Sequence, residues 1–449
     1  MSDPEKNKRL FGTNGIRGIP NEELTPEFCL LVGKAIGTFF NGKIVVGSDN
    51  RLSGDMIINA VNSGILSTGS ETVMIGVLPT PGIQYYCKKH NLPGVMITAS
   101  HNPPQFNGIK CIDGDGTELE RSKEEKIEGI YYSKKYRTAK WDSIGRSILD
   151  NSGFDLYLNG IMNMIDVKKI RERKFRVAVD TGNGAAYLTT PELLSRLGAT
   201  AVTLNANPDG LFTSRESEPK PANLKYLIDL VKSGGFDFGI AHDGDADRAV
   251  FIDSSGNFID GDKTLTLFVK HYIRKGERVV TPISSSDALE EVCRKAGANV
   301  VRTRVGAPIV SRTMIQEKAR LGGEENGGII YGDHQYCRDG AMSLGIVMDI
   351  LSKEKKNLKE LIESLPQFFI TRKTIPARSD FSILSERLKK EYPGWEVSTM
   401  DGIKLRNGND WILARPSGTE PIIRLFTHSQ KRERSEELSS NVEQLVMSV

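Results

Sequence analysis

Three aspartates at alternate positions stand in the run His242-Asp243-Gly244-Asp245-Ala246-Asp247-Arg248, directly after the apolar Phe238–Ala241. At i, i+2 and i+4 of an extended or looped segment the carboxylates of Asp243, Asp245 and Asp247 share one side. Glycine and alanine between them keep the loop compact. Oxygen donors crowded in this way repel one another unless a hard cation sits among them, and Mg2+ suits such ligands. An EF-hand loop begins similarly but needs a glycine and a distal glutamate at set positions; here Arg248 and the apolar run Ala249–Asp253 follow at once. A solvated acidic turn is the plainer alternative.

A second group surrounds Ser100, in Thr98-Ala99-Ser100-His101-Asn102-Pro103-Pro104. The serine follows directly on an apolar strand, and in doubly wound sheets the carboxyl ends of strands line the binding crevice. Asn-Pro-Pro stops regular structure, so Ser100 should sit on a rigid loop. His101 can hydrogen-bond an oxyanion, and the cation of Lys110, further along, can reach the same group. Read alone, the segment could equally be a turn that closes a strand. Two more segments have polar groups suited to a phosphorylated sugar. In Gly322-Gly323-Glu324-Glu325-Asn326-Gly327-Gly328, glycines let backbone approach a ligand, and Glu324 and Asn326 can accept from and donate to hydroxyls. In Arg415-Pro416-Ser417-Gly418-Thr419-Glu420-Pro421, with Arg424 nearby, an arginine fork, two hydroxyls and a glycine turn offer what a phosphate monoester needs. A Gly-rich hairpin and an ordinary polar turn are the alternatives. Near the N-terminus, Phe11-Gly12-Thr13-Asn14-Gly15-Ile16-Arg17-Gly18 is a Gly-rich loop bearing one arginine.

These segments must be held by α/β units. Lys43–Gly47 precedes a helix-like stretch over 55–66, Glu71–Gly76 precedes another over 83–90, and Gly94–Thr98 is a third apolar run. This alternation predicts a mostly parallel sheet with helices on both faces. It restarts at Phe175–Asp180, with a Gly-rich turn over 181–186, a helix over 190–197 and a strand at 201–204. It restarts again at Arg278–Pro282, with a helix over 287–296 and a strand at 299–303. From about residue 370 strand-like pieces alternate, and a charged helix over 431–447 ends the chain, which predicts a smaller α+β domain. The polar stretch 142–154 is the expected first boundary. The expected domains are 1–150, 151–254, 255–368 and 369–449.

The 449 residues exceed one ordinary domain. With 38% hydrophobic and 26% charged residues the chain reads as globular, and a net charge of +3 calls for neither a nucleic-acid nor a membrane partner. The polar N-terminus has no signal-peptide core and no apolar run is long enough to span a bilayer. Five scattered cysteines, Cys29, Cys87, Cys111, Cys293 and Cys337, read as reduced structural thiols of a cytoplasmic protein.

Taken together, TASHNP at 98–103, DGDADR at 243–248, GEEN at 323–326 and RPSGTEP at 415–421 resemble, in the same order, the motifs of the α-D-phosphohexomutase superfamily, and FGTNGIRG resembles its opening loop. The resemblance spans nearly the whole chain. It implies four domains around a central cleft: three related α/β domains with mixed or mostly parallel sheets, then a distinct α+β domain. It implies that Ser100 carries a phosphoryl group and that Asp243, Asp245 and Asp247 bind Mg2+ together with it. Glu324 and Asn326 would read sugar hydroxyls; Arg415, Ser417, Gly418 and Thr419, with Arg424, would hold the non-reacting phosphate. Arg17, His101, Lys110 and Arg248 would surround the reacting centre. The implied reaction interconverts hexose 6-phosphate and hexose 1-phosphate through a hexose 1,6-bisphosphate, in a monomer or homodimer. Asn326 stands where serine is usual, Gly328 where histidine is frequent, and Gly47–Arg51 reads GSDNR where a GRDTR type is common. The compact opening loop leans toward glucosamine phosphate as substrate, with phosphomannomutase/phosphoglucomutase activity as the alternative. A metal-dependent phosphatase would use the same aspartates but must position water, and a second phosphate loop at Arg415 favours the mutase.

Overall fold

The computed structural model describes residues 9–12, 14–377, 380–416 and 422–447. The described residues form four sheets in succession along the chain. The first has the order β1-β5-β4-β2-β3-β6, built from β1 (Ile16–Gly18), β2 (Lys43–Ser48), β3 (Glu71–Val77), β4 (Gly94–Ile97), β5 (Asn107–Ile112) and β6 (Ser147–Leu149). The second, β11-β10-β9-β7-β8, is built from β7 (Arg176–Asp180), β8 (Thr200–Leu204), β9 (Phe238–His242), β10 (Ala249–Asp253) and β11 (Phe258–Ile259). The third, β13-β12-β14-β15, uses β12 (Arg278–Pro282), β13 (Asn299–Thr303), β14 (Leu321–Gly323) and β15 (Ile329–Tyr331). The fourth, β16-β20-β19-β18-β17, is antiparallel throughout. Its strands are β16 (Phe369–Pro376), β17 (Glu396–Ser398), β18 (Ile403–Asn407), β19 (Asp410–Pro416) and β20 (Ile422–Ser429), and the helices Phe381–Glu391 and Arg432–Met447 pack on it.

The first three sheets repeat one design. In β3-β2-β4-β5, β8-β7-β9-β10 and β13-β12-β14-β15, a central strand has two parallel neighbours, and a fourth strand turns back antiparallel to the third. The sheets are therefore mixed. The connection from third to fourth strand carries Ser100 in the first unit, the three aspartates in the second and Glu324 in the third. Three chemically different motifs thus occupy one topological position in three units.

The expected strands are found to within a residue or two. The second unit's helix begins at Ala186 rather than Thr190. Pro191 lies inside this helix, where it has no N–H to donate to the preceding turn. The helix expected from residue 83 starts at Thr80, which brings the Thr80 hydroxyl to Asp245. The polar stretch 142–154 is not merely a connection: Ser147–Leu149 pairs in parallel with β3 as an edge strand.

The helix Gly340–Glu354 was not evident in the sequence pattern. Every residue from Gly340 to Ser352 is buried, because the helix lies between the second and third units, where one core runs from Tyr157 and Ile240 to Phe268 and Leu344; its buried Asp349 accepts from the Asp166 N–H and the Tyr272 hydroxyl. The fourth sheet has its own core and meets the third unit through a small apolar cluster, Ile283 against Trp411, Leu413 and Phe426, and through polar links. The Lys404 ammonium donates to the Ile283 carbonyl at 2.7 Å, and the Val305 N–H donates to Asp401 at 3.0 Å. Among the described residues no helix is long and apolar enough to cross a membrane, and all five cysteines are buried and unbridged.

Candidate active site

Ser100 leaves β4 in the left-handed region, with φ 53°. A non-glycine residue held there costs about 1–3 kcal/mol and persists only where the surroundings impose it. Those surroundings are specific. The Ser100 N–H donates to Thr98 Oγ1 at 2.8 Å, and the Thr98 hydroxyl donates to Asp49 at 2.5 Å. The guanidinium of Arg51 donates to four carbonyls of the serine loop: Ser100 at 2.8 Å, Asn102 at 2.7 Å, Pro103 at 2.9 Å and Phe106 at 2.8 Å. Arg51 also pairs with Asp49 at 3.3 Å, both side chains fully buried. Burial lifts the Asp49 carboxyl to about 6, while Arg51 and the Thr98 hydroxyl pull the other way. Asp49 and Arg51 keep the GRDTR type where Ser48 and Asn50 depart from it, but no role was assigned to them from the sequence; only the fold brings that loop under the serine.

Removal of this clamp is testable. Arg51→Lys keeps a charge but cannot serve four carbonyls. It is expected to lower kcat at least tenfold and to cost about 3 kcal/mol of stability, the scale of a broken buried pair, read by kinetics and thermal unfolding. Unchanged kcat with a lowered Tm would mean that the clamp holds the fold but not the serine.

Ser100 Oγ points at the aspartate loop and donates to Asp243 Oδ2 at 3.1 Å; His101 Nδ1 is 3.4 Å away. The two loops touch through Gly244, where a Cβ would fall 2.6 Å from the Ser100 carbonyl oxygen and 2.7 Å from Ser217 Oγ. Glycine is thus required for the approach. The carboxylates of Asp243, Asp245 and Asp247 offer oxygens within 4.8 Å of one another, all buried. Asp245 Oδ2 accepts from the Thr80 hydroxyl at 2.7 Å and from Lys110 Nζ at 3.0 Å. Asp245 Oδ1 and Asp247 Oδ1 are buried with no hydrogen-bond partner. A buried carboxylate oxygen without a donor is costly, and two beside a third carboxylate have the donor chemistry of a divalent-cation site. These residues fit Mg2+.

The electrostatics agree. Burial and the neighbouring Asp247 and Asp245 push Asp243 well above its ordinary value, which is the cost of three carboxylates with no cation among them. Burial would raise Asp245 too, but Lys110 and the Thr80 hydroxyl hold it below the usual range. The Arg248 guanidinium, burial and Arg17 drive His101 well below its ordinary value, so its imidazole is neutral at pH 7. Arg17 donates to Asn102 Oδ1 at 2.6 Å, and Arg248 Nε lies 3.8 Å from both Asp243 and Asp247. His101 thus lies beside Ser100 Oγ, and Arg17, Lys110 and Arg248 reach the neighbouring Asn102, Asp245 and Asp243/Asp247.

Glu324 faces the same cleft. Its Oε1 accepts from the Gly306 N–H at 3.2 Å and its Oε2 from Arg338 at 2.9 Å; the other arm of Arg338 donates to Asp247. Asn326 accepts from the Gly328 N–H at 3.1 Å, so part of its capacity shapes its own turn. Arg338 escaped the sequence analysis. Its only signal was Arg-Asp-Gly ahead of an apolar run, in which Asp339 caps the buried helix by accepting from the Met342 N–H at 2.8 Å. Thr80 was missed for the same reason, since its partner lies in another unit. On the fourth sheet Arg415 and Arg424 stand directly opposite on β19 and β20. Like charges so placed repel, and an anion between them would offset this. Arg415 also pairs with Asp401 at 3.2 Å. Ser417, Gly418 and Thr419 lie outside the described residues.

Three repeated α/β units followed by an antiparallel domain are the architecture of a phosphohexomutase. Three domain families match in order: phosphoglucomutase/phosphomannomutase α/β/α domain I over residues 8–138, domain II over 155–256 and domain III over 260–369. The chain is 42% identical over 440 residues to a phosphoglucomutase/phosphomannomutase of Thermococcus kodakarensis, covering 96% of each. It is 39% identical to a phosphoglucosamine/phosphogalactosamine mutase of Sulfurisphaera tokodaii, covering 98% of this chain and 99% of the relative. A solved phosphoglucomutase/phosphomannomutase family protein of Burkholderia thailandensis shares the fold, with a TM-score of 0.87 at 24% identity over 98% of this chain and 97% of the other. The chain belongs to the phosphoglucomutase/phosphomannomutase family of the α-D-phosphohexomutase superfamily, and is an isomerase of that class.

Proposed function

We propose that this enzyme moves a phosphoryl group between O6 and O1 of a hexose, with Ser100 as the covalent relay and a hexose 1,6-bisphosphate as intermediate. The observation that carries the reading is the convergence of Ser100 Oγ, held in a strained backbone conformation, with the three buried carboxylates. A serine hydroxyl is both a poor nucleophile and a poor leaving group, so transfer depends on positioning and on cations around the equatorial oxygens. Lys110, Arg17 and Arg248 supply fixed positive charge, and the neutral His101 imidazole can exchange a proton with a hydroxyl. Mg2+ held by Asp243, Asp245 and Asp247 together with the Ser100 phosphate would neutralise the phosphoryl oxygens. Glu324 and Asn326 bind sugar hydroxyls, while Arg415, Arg424 and the 417–419 turn grip the distal phosphate. Ser100 passes its phosphate to the open hydroxyl, the bisphosphate turns over in the cleft, and its other phosphate returns to Ser100. A closed cleft keeps water from the intermediate.

Glucosamine phosphate is the proposed substrate, a reading supported by the relative that acts on phosphoglucosamine. Glucose and mannose phosphates form the second reading, favoured by the 42% identical relative. The enzyme is proposed to work in the cytoplasm as a monomer or homodimer. Side-by-side kinetics on the three hexose phosphates, primed with glucose 1,6-bisphosphate, test the proposal. The expected result is mutase turnover with the highest kcat/KM for glucosamine phosphate. Release of inorganic phosphate as the main product would favour the phosphatase instead.

A further inference from the structure

Gly328 removes a side chain from the sugar loop, and the neighbouring chain shows what stands in its place. A Cβ built on Gly328 would lie 2.2 Å from Arg338 Cδ and 3.0 Å from its Cγ. Any residue other than glycine must displace the aliphatic stem of Arg338. Through that space the guanidinium reaches the cleft, where one arm donates to Glu324 Oε2 at 2.9 Å and the other to Asp247. Its side chain is 5% exposed. The stem cannot easily swing aside, because the next residue is anchored on three sides. Asp339 caps the buried helix and accepts from the Tyr157 hydroxyl at 2.7 Å and from Gln335 at 2.9 Å. Arg338 is thus the one side chain among the described residues that bonds both the carboxylate assigned to sugar hydroxyls and a carboxylate of the aspartate cluster.

We propose that Arg338 is a specificity-determining residue that acts as a pair with Gly328, filling the space left at position 328 and fixing the Glu324 carboxylate against the aspartate loop. The inference rests on the reading of Glu324 as a sugar contact. With Oε1 bound to the Gly306 N–H and Oε2 to Arg338, Glu324 offers its remaining lone pairs in fixed directions. A shift of Arg338 would re-aim those lone pairs and so change which hydroxyl arrangement is accepted.

The test is kinetics on glucosamine, glucose and mannose phosphates for wild type, R338K, R338A, G328H and the double variant G328H/R338A. Phosphorylation of Ser100 by glucose 1,6-bisphosphate is followed by mass spectrometry in parallel. Lysine cannot span two carboxylates, so R338K is expected to lower kcat/KM about tenfold to a hundredfold and to change the ratios among the three sugars. The G328H substitution should nearly abolish turnover in the presence of Arg338. In the R338A background, where the smaller side chain leaves room, it should cost at least about tenfold less, a departure from additivity that contact between the two positions requires. Independent, multiplying effects of the two substitutions would overturn the pairing. Unaltered sugar ratios in R338K would overturn the specificity role, and they decide the matter even if R338A does not fold. Wild type that turns over none of the three sugars and takes no phosphate on Ser100 removes the mutase reading itself, and this inference with it. Active, phosphorylated wild type with independent effects removes the inference alone.

Discussion

Alanine at position 100 is expected to lower mutase turnover by several orders of magnitude, because an obligatory covalent carrier is lost and not merely a contact. The fold should scarcely change. The backbone clamp on residue 100 uses its N–H and carbonyl, not its hydroxyl, and the Thr98 and Arg51 bonds survive the substitution. Deleting Oγ removes one 3.1 Å bond to Asp243, and the aspartate cluster keeps its other partners. Thermal unfolding should therefore move little while activity collapses. The decisive companion measurement is mass spectrometry of active wild-type enzyme, in which the phosphorylated peptide should carry its phosphate on Ser100. The dephosphorylated enzyme should be idle until a hexose 1,6-bisphosphate primes it. Phosphate on another residue, or near-normal turnover by Ser100→Ala, would return the Ser-His-Asn-Pro loop to the role of a strand-closing turn.

Removal of divalent cations should have an effect of similar size, and it should also be visible in the fold. Asp243, Asp245 and Asp247 are buried within 4.8 Å of one another, and two of their oxygens have no donor. Without a cation, burial and mutual repulsion raise Asp243 well above its ordinary value. EDTA is expected to abolish turnover and added Mg2+ to restore it. Mg2+ that binds only the native state at a hundred times its Kd would stabilise by about 2.7 kcal/mol, so Tm should rise by some degrees on metal addition. Asn at position 245 should lose both responses. The sign of the pH effect follows from Asp243. Its raised folded value means that the metal-free protein gains stability as pH falls toward and below that value, since protonation relieves the repulsion. Mg2+ should reverse this trend near neutrality by favouring the charged form. Full activity of thoroughly metal-free enzyme, or a Tm indifferent to Mg2+, would count against the site.

What was legible in the sequence was local. Apolar runs ending at Ser100 and at Asp243 marked strand ends, and strand ends are where doubly wound sheets open; the segment around Glu324 was marked only by its glycines. The spacing of the aspartates and the order of the motifs identified the class of protein, and the expected strands stand where the alternation placed them. Of the antiparallel return strands, β10 was legible as the apolar run Ala249–Asp253, whereas β5 and β15 were not separately marked, because each follows a glycine- or proline-bearing loop whose residues obscure the period. The buried helix Gly340–Glu354 was missed because an element buried on every side shows no amphipathic stripe.

The chain by itself pointed to the groups proposed to carry the chemistry: a serine, three carboxylates, a glutamate and a set of cations, each in a segment whose composition suits the proposed task. Tertiary structure alone decided how they meet. Arg51 reaches the serine loop and Thr80 reaches Asp245, the latter across units. Arg338 bridges Asp247 and Glu324 by passing through the space that Gly328 leaves empty. The physical reason is that sequence periodicity reports which face of an element is buried, whereas the partner of a buried charge lies wherever the packing of separate units places it. No residue near Arg338 in the chain announces the two carboxylates that hold it.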